Sequence, residues 1–271
     1  MAEWIAPRLR CGLGNRLFQT LAAQNAALKM NREAVFFLPR MSHYDHGGFD
    51  LVRRFFPSMR LIESADTWTE IEEDHRQVLP ELPDLKGPLV IKGFFQHSAN
   101  VPPLLSGLWP KLPCDPLPPK NAFAVHFRFG DYCILPHYHV PLSKYYKWAL
   151  ETQIPKNSTV VLFSDSPERL PALAAEIQEM GFQIEICIET DQIRTLTLFA
   201  SCQRGAICSN STFAWWGSYF LWDRWKIASF FPDTWMIDQP TPKILNLPFT
   251  HPLILDEIPN TYALKSFSYS P

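Results

Sequence analysis

The chain has 271 residues, of which 46% are hydrophobic and 19% are charged, which excludes a disordered protein and leaves room for two domains of ordinary size. Its formal net charge of −2 provides no basic surface, so we expect no nucleic-acid partner. No apolar stretch approaches the roughly 20 residues that cross a membrane, and the first residues lack the apolar core of a signal peptide. We therefore expect a cytoplasmic protein without a membrane span, in which the six scattered cysteines are reduced.

The first part of the chain alternates apolar strands with a helix. A strand near residues 4–9 passes through a glycine turn into a helix at about 15–30, and the apolar run 35–38 follows. The stretch 111–120 then carries four prolines, which cannot continue a helix or a central strand. We therefore predict an N-terminal domain at 1–112 and a linker at 113–120.

The same alternation recurs in the predicted C-terminal domain, residues 121–271. We expect strands at 123–127, 159–163, 183–188 and 205–208, and helices at 142–151, 167–180, 193–201 and 212–222. Alternating strands and helices predict an α/β fold with parallel sheets that are covered on both faces. Two such domains predict a cleft between them, where α/β proteins usually bind their ligands.

The glycine turn before the first helix is the first candidate site. Gly12 and Gly14 let a ligand approach the backbone, and the free amides at a helix N-terminus bind phosphate. Asn15 and Arg16 add polar side chains where the helix begins. We predict that these four residues bind a donor substrate; an ordinary tight turn is the alternative.

The second candidate follows the apolar strand at 123–127. His126 and Arg128 lie two residues apart, so on a strand their side chains point to the same side. The planar Arg128 guanidinium suits two phosphate oxygens at once. We predict catalytic roles for His126, Arg128 and Asp131, with a structural salt bridge between Arg128 and Asp131 as the alternative. The base that accepts the acceptor proton stays open among Asp131, His137 and His139.

The third candidate combines a strand end with the beginning of an aromatic-rich helix, and comprises Ser209, Asn210, Ser211, Thr212 and Phe213. Helix amides and hydroxyls at such a position donate hydrogen bonds to phosphate. An ordinary helix cap is the alternative, since Ser, Asn and Thr are preferred there. Asp165, at another strand end, is a further donor-binding candidate, because its carboxylate could accept from a guanine edge or a ribose; a plain N-cap of the following helix is the alternative.

Together these segments resemble the α-1,2-fucosyltransferase family. The family's G-G-L-G-N-Q-x-F-Q is similar to residues 11–19, its H-x-R-R-G-D-Y to residues 126–132, and its S-N-S-[ST]-F-S-W-W-G to residues 209–217. The chain departs from these patterns at several positions, notably Phe129, which stands where the family has its second Arg. Cys11 likewise replaces the first Gly of the family pattern.

The resemblance implies a GT-B architecture, in which two Rossmann-like domains face each other across a cleft. It implies inverting transfer of L-fucose from GDP-fucose to a hydroxyl of a glycan acceptor, such as O-2 of a galactose-like residue, without a metal cofactor. The chain itself has no D-x-D pair of the kind that holds a divalent ion under a nucleotide sugar. Two alternatives stay open: transfer of another nucleotide-linked hexose, and non-catalytic binding of a nucleotide sugar or a glycan.

Overall fold

A computed structural model describes residues 3–40, 48–74, 78–82, 85–238 and 242–269 of the chain. By its internal contacts the chain divides into two compact units, Met1–Pro113 and Cys114–Pro271. The division falls inside the proline-rich stretch 111–120. The two units are described separately below.

The first unit is a five-stranded parallel sheet with helices, in the strand order β3-β2-β1-β5-β4. Its elements are β1 (Trp4–Pro7), α1 (Leu13–Lys29), β2 (Glu33–Phe37), α2 (Gly48–Phe55), β3 (Arg60–Ile62), β4 (Thr69–Glu72) and β5 (Leu89–Lys92). Small residues on α1, among them Ala22, Ala23 and Ala26, pack with Ile5 and Leu89 of the central strands. Their size lets the helix lie close to the sheet, so burial of its apolar side stabilises it.

The second unit has a six-stranded parallel sheet in the order β11-β10-β9-β6-β7-β8. Its elements are β6 (Ala122–Phe127), α3 (Leu142–Gln153), β7 (Thr159–Ser164), α4 (Leu170–Glu179), β8 (Gln183–Ile186), α5 (Gln192–Ser201), β9 (Ala206–Ile207), α6 (Thr212–Trp225), β10 (Ser229–Pro232) and β11 (Thr250–Leu253). All residues of β6 are buried, as expected for a central strand that is covered on both faces.

Each sheet has one position at which the strand order reverses. In the first unit it lies between β1 and β5, and in the second unit between β6 and β9. In open α/β sheets, ligands bind in the crevice at the carboxyl ends of the strands on either side of this switch point. The loops after β1, β5, β6 and β9 are therefore where each unit would hold a ligand.

The predicted α/β class with parallel sheets is confirmed, and most of the predicted elements occur within a few residues of their expected bounds. One helix begins differently: Pro167–Arg169 form a 3-10 turn, and α4 starts only at Leu170. Helix α2 and strands β3, β4, β5, β10 and β11 were not assigned from the sequence. The GT-B arrangement of the two units stays a prediction.

Some features are absent from the described part of the chain. No helix there is long and apolar enough to span a membrane. No cluster of three or more His, Cys, Asp or Glu side chains with metal-binding geometry occurs among the described residues. None of the six cysteines forms a disulfide.

Candidate functional site

Arg128 joins two carboxylates at the switch point of the second unit. Its Nη1 lies 2.9 Å from Asp165 Oδ2, and its Nη2 donates to Asp131 Oδ1 at 2.6 Å. Although burial lowers the pKa of Arg128, the charges of Asp165 and Asp131 more than offset it, so its pKa lies above the usual value. Because the three side chains carry one positive and two negative charges, the cluster is an anion overall. The structural salt bridge considered from the sequence is therefore present.

Asp165 is fixed from two sides. Its Oδ1 accepts the backbone N–H of Phe129 at 2.9 Å, while its Oδ2 faces Arg128. Gly130 leaves room for this carboxylate: its φ is +29°, and a Cβ added there would lie 2.2 Å from Asp165 Oδ2. Asp165 therefore holds the loop after β6 and does not cap the helix that follows it.

His126 and Ser209 bring the ends of β6 and β9 together. His126 Nδ1 lies 2.9 Å from Ser209 Oγ, and both residues are buried. Burial, followed by the charge of Arg128, lowers the pKa of His126 to about 3. The imidazole is therefore neutral around pH 7, and it can exchange a hydrogen bond with Ser209 but cannot supply a positive charge there.

Three tyrosine hydroxyls fix the backbone around the switch point. Tyr146 donates to the His126 carbonyl at 2.8 Å, Tyr132 to the Asn210 carbonyl at 2.8 Å, and Tyr145 to the Cys208 carbonyl at 2.9 Å. Burial raises the pKa of all three phenols well above 10. The sequence analysis missed this role for Tyr132, Tyr145 and Tyr146, because nothing in the local pattern shows which carbonyl a buried hydroxyl will find.

The segment after β9 begins helix α6. Ser211 is the N-cap, and its Oγ accepts the Phe213 N–H at 3.3 Å, so the capping alternative is realised for this residue. Asn210 is fully buried; its Nδ2 donates to the Trp235 carbonyl at 2.7 Å, while its Oδ1 has no partner. Thr212, the first residue of the helix, is partly exposed. Helix α6 thus begins at the carboxyl end of β9, beside the switch point.

Phe129, which stands at the family's second Arg, is a core residue. It is 1% exposed, and its ring packs on Phe127 and Phe267. The Arg169 guanidinium covers the Phe129 ring, with its central carbon 4.5 Å from the ring centroid, and donates to the Ser268 carbonyl. An aromatic side chain at this position therefore anchors the C-terminal segment on the sheet.

The predicted residues of the glycine turn lie in the first unit. Cys11 has the left-handed φ of +63°, whereas Gly12 has an unstrained φ of −70° and open space where a side chain would be. Asn15 Oδ1 accepts from Gln96 Nε2 at 2.9 Å, which links α1 to the loop after β5. Arg16 is 1% exposed, and its Nε donates to the Cys11 carbonyl at 2.8 Å, so this side chain closes the turn.

Gly14 is buried in the first turn of α1. Donor binding by Gly12, Gly14, Asn15 and Arg16 stays a prediction. The residues of the second unit form one cluster in space, in which Arg128 joins Asp131 to Asp165 and His126 meets Ser209.

A cavity of about 390 Å³ lies elsewhere in the first unit, between α1 and residues 79–82. Asn25 and Asn100, which line it, are satisfied: Asn25 donates to the Asn100 carbonyl at 2.9 Å, and Asn100 Oδ1 accepts the Leu79 N–H at 2.9 Å. None of the predicted site residues lines the cavity. The predicted site residues lie instead at the switch points of the two sheets.

Comparison with known proteins adds no assignment. No protein-family model matches the chain, and no curated protein matches it significantly. The function must therefore be argued from the residues themselves.

Proposed function

We propose that the chain is a glycosyltransferase that transfers L-fucose from GDP-fucose to a hydroxyl of a glycan acceptor, with inversion at the anomeric carbon. The hydroxyl is O-2 of a galactose-like residue, as in the family that the motifs resemble, and no metal takes part. A GT-B arrangement, with the two units facing each other across a cleft, belongs to this proposal.

One observation carries the proposal. Residues 126–132 and 209–217, which resemble two family motifs, lie at the carboxyl ends of β6 and β9, the strands on either side of the switch point of the second unit. Side chains far apart in the sequence meet there, as the 2.9 Å contact between His126 and Ser209 illustrates. The sheet order has the doubly wound form that binds nucleotides at this position.

In this proposal the donor pyrophosphate replaces Asp131 on Arg128. The cluster already carries a net negative charge, so a phosphate must displace one carboxylate. Asp165 is held by the Phe129 amide, whereas the Asp131 side chain is 42% exposed, and exposed ion pairs contribute roughly 0–1 kcal/mol. Arg128 then pairs with phosphate oxygens, and the α6 amides with Thr212 add neutral donors.

The displaced Asp131 is proposed as the base. The acceptor hydroxyl attacks the anomeric carbon, and its proton passes to the Asp131 carboxylate. The bond between the anomeric carbon and the phosphate oxygen breaks, and its electron pair leaves with GDP. Negative charge develops on the phosphate held by Arg128, where preorganised donors lower the barrier most effectively. Neutral His126 orients the Ser209 hydroxyl at the same edge of the sheet.

A donor screen tests the proposal. Calorimetry of the full chain with GDP, UDP and ADP, each with and without EDTA, should show the tightest binding for GDP and no effect of EDTA. GDP-fucose and GDP-mannose are then offered with an array of glycan acceptors, and the product linkage is determined by NMR. Preference for UDP, or turnover that requires Mg²⁺ or Mn²⁺, would contradict the proposal; a mannosyl product would favour another GDP-hexose.

A second candidate is a non-catalytic nucleotide-sugar or glycan-binding protein. It is favoured by the pairing of Arg128 with two carboxylates, which leaves neither terminal nitrogen of the guanidinium unpaired. Binding of GDP-fucose without turnover on any acceptor would select this candidate.

A further inference from the structure

A cation that forms no salt bridge with any described residue lies at the switch point of the first unit. The Arg10 guanidinium stacks on the Phe94 ring, with its central carbon 4.2 Å from the ring centroid. It thus spans the loops that follow β1 and β5. Its Nε is buried and has no hydrogen-bond partner. No ion pair to Arg10 occurs within the described part of the chain.

The other cations at this edge of the sheet are already paired. Arg8 Nη1 lies 3.0 Å from Glu70 Oε1, and Lys92 Nζ lies 2.8 Å from Glu72 Oε1. The first pair joins the loop after β1 to strand β4, and the second pair joins strand β5 to strand β4. Arg10 therefore differs from Arg8 and Lys92 in forming no salt bridge with a described residue, although its charge favours the ionised forms of Glu72 and Glu73 nearby.

Glu73 shapes the loop beneath this cation. Its carboxylate accepts the N–H of Phe94 at 2.7 Å and the N–H of Phe95 at 2.6 Å. Gly93 makes room for it, since an added Cβ would lie 2.4 Å from Glu73 Cδ. The carboxylate is directed at the backbone, and it holds the Phe94 ring in place for Arg10.

Two residues on these loops have strained backbones. Cys11, after β1, has a φ of +63°, and Phe95, after β5, has a φ of +55°. Left-handed conformations of residues other than glycine cost about 1–3 kcal/mol and cluster at functional sites. The two strained residues lie on the two loops that flank this switch point.

Polar groups of α1 and of the loop after β5 lie beside Arg10. Gly12, the N-cap of the 17-residue helix α1, provides no side-chain cap and leaves open space above it. Gln19 is fully buried; its Oε1 accepts the Arg10 backbone N–H at 3.0 Å, while Nε2 of the same carboxamide has no partner. The hydrogen bond from Gln96 to Asn15 joins the two loops at 2.9 Å.

We propose that this switch point is a second ligand site, which binds a carboxylate of the acceptor through Arg10. The identification of this ligand as the glycan acceptor rests on the proposed function. A guanidinium without a salt bridge suits a singly charged group, because Glu72 and Glu73 would repel a pyrophosphate more strongly than a carboxylate. In this proposal the glycine turn, which the sequence predicted to bind the donor, contacts the acceptor instead. The planar guanidinium can pair with both carboxylate oxygens, and the α1 amides can add donors. The acceptor is then an acidic saccharide, such as a hexuronic acid.

Ligand-observed NMR titrations on the full chain test the site, with galacturonate and its neutral analogue galactose as probes. Saturating GDP keeps the donor site occupied. The chain should bind galacturonate about tenfold or more tightly than galactose, because charge-assisted hydrogen bonds contribute roughly 1.5–3 kcal/mol. Arg10→Gln should bring galacturonate to the level of galactose, and Arg10→Lys should retain part of the preference. Arg8→Gln is the matched control and should leave the preference for galacturonate over galactose unchanged.

Several results would overturn the inference: equal binding of the two sugars, equal losses in Arg8→Gln and Arg10→Gln, or a tenfold loss of GDP affinity in Arg10→Gln. Melting temperatures of the variants without ligand establish that each is folded. If GDP does not bind at all, the proposed function fails, yet the galacturonate titration without GDP still decides whether Arg10 binds a carboxylate.

Discussion

Arg128 and Asp165 tie the loop after β6 to the end of β7. Asp165 Oδ2 lies 2.9 Å from Arg128 Nη1, and its Oδ1 accepts the Phe129 N–H at 2.9 Å. Asp131 contacts the same guanidinium from an adjacent turn, with 42% of its side chain exposed. We infer that Asp165 orients Arg128 and that Asp131 occupies the position of a ligand anion.

Asp131→Asn should therefore strengthen GDP binding while it weakens turnover. Removing an exposed carboxylate that competes for Arg128 should raise GDP affinity by a few-fold, in line with roughly 0–1 kcal/mol for such a pair. Turnover should fall because the proposed base is lost. Calorimetry with GDP and initial rates measure the two effects. Asp165→Asn is the control, and it should lower both GDP affinity and the melting temperature. Similar results for the two variants would contradict the different roles inferred for Asp131 and Asp165.

Arg128→Lys should reduce turnover almost as much as Arg128→Ala. Lys keeps the charge but lacks the planar pair of donors that suits phosphate oxygens and the two carboxylates. Initial rates at saturating donor compare the variants, with Lys144→Ala as a control at a cation away from the site. Near-normal turnover of Arg128→Lys would count against the role of the guanidinium.

The sequence predicted where the candidate residues of the second unit lie in the fold, because they stand at the ends of recognisable strands. His126, Arg128 and Ser209 follow apolar runs that are long enough to be recognised as buried strands, and a parallel sheet brings such ends to one edge. The left-handed Phe95 and the unpaired Arg10 were not predicted. Both features lie beside β4 and β5, which are short strands with little periodicity. They also depend on Glu73, whose carboxylate accepts the backbone N–H groups of Phe94 and Phe95 on a distant loop.

Gly130→Ala should disturb the Arg128 cluster, whereas Gly12→Ala should leave the fold intact. A methyl group at Gly130 would lie 2.2 Å from Asp165 Oδ2, and its φ of +29° disfavours a side chain. Rotation of Asp165 avoids the clash but breaks its ion pair, so we expect GDP affinity to fall by about tenfold, or 1.4 kcal/mol.

At Gly12 nothing lies within 4 Å of the added methyl group, so the only expected effect on the melting temperature is a small decrease, because Ala is a poorer N-cap than Gly. Melting curves and GDP calorimetry on both variants provide the comparison. Unchanged GDP affinity in Gly130→Ala would show that Asp165 does not orient Arg128 for the donor.

The neutral state of His126 predicts a dependence of stability on pH. Burial and the charge of Arg128 lower its pKa to about 3 in the folded chain, compared with about 6.5 when unfolded. Between these values the unfolded state binds more protons, so stability is lost as the pH falls below about 6.5. The loss should approach 1.4 kcal/mol per pH unit within this window.

Urea unfolding at pH 7, 6 and 5 measures this slope. His126→Asn, which can still bond to Ser209 but does not titrate, should flatten the slope. Equal slopes in the chain and in His126→Asn would mean that other groups dominate its acid sensitivity.

Helix capping and phosphate binding can be tested separately at the beginning of α6, because the Ser211 and Thr212 hydroxyls have different surroundings. Ser211 Oγ accepts the Phe213 N–H at 3.3 Å, while Thr212 is partly exposed at the first helical position. Ser211→Ala should therefore lower stability by about 1 kcal/mol. Thr212→Ala should leave stability nearly unchanged and weaken GDP binding by about tenfold, or 1.4 kcal/mol.

Guanosine provides the matched ligand for this last prediction, because it carries the base and the ribose of GDP but no phosphate. If Thr212 and the α6 amides hold phosphate, Thr212→Ala should weaken GDP binding far more than guanosine binding. Calorimetry with both ligands, together with the melting temperature of each variant without ligand, separates the effects. Equal losses for GDP and guanosine, or none for either, would leave Ser211 as a helix cap and remove Thr212 from the site.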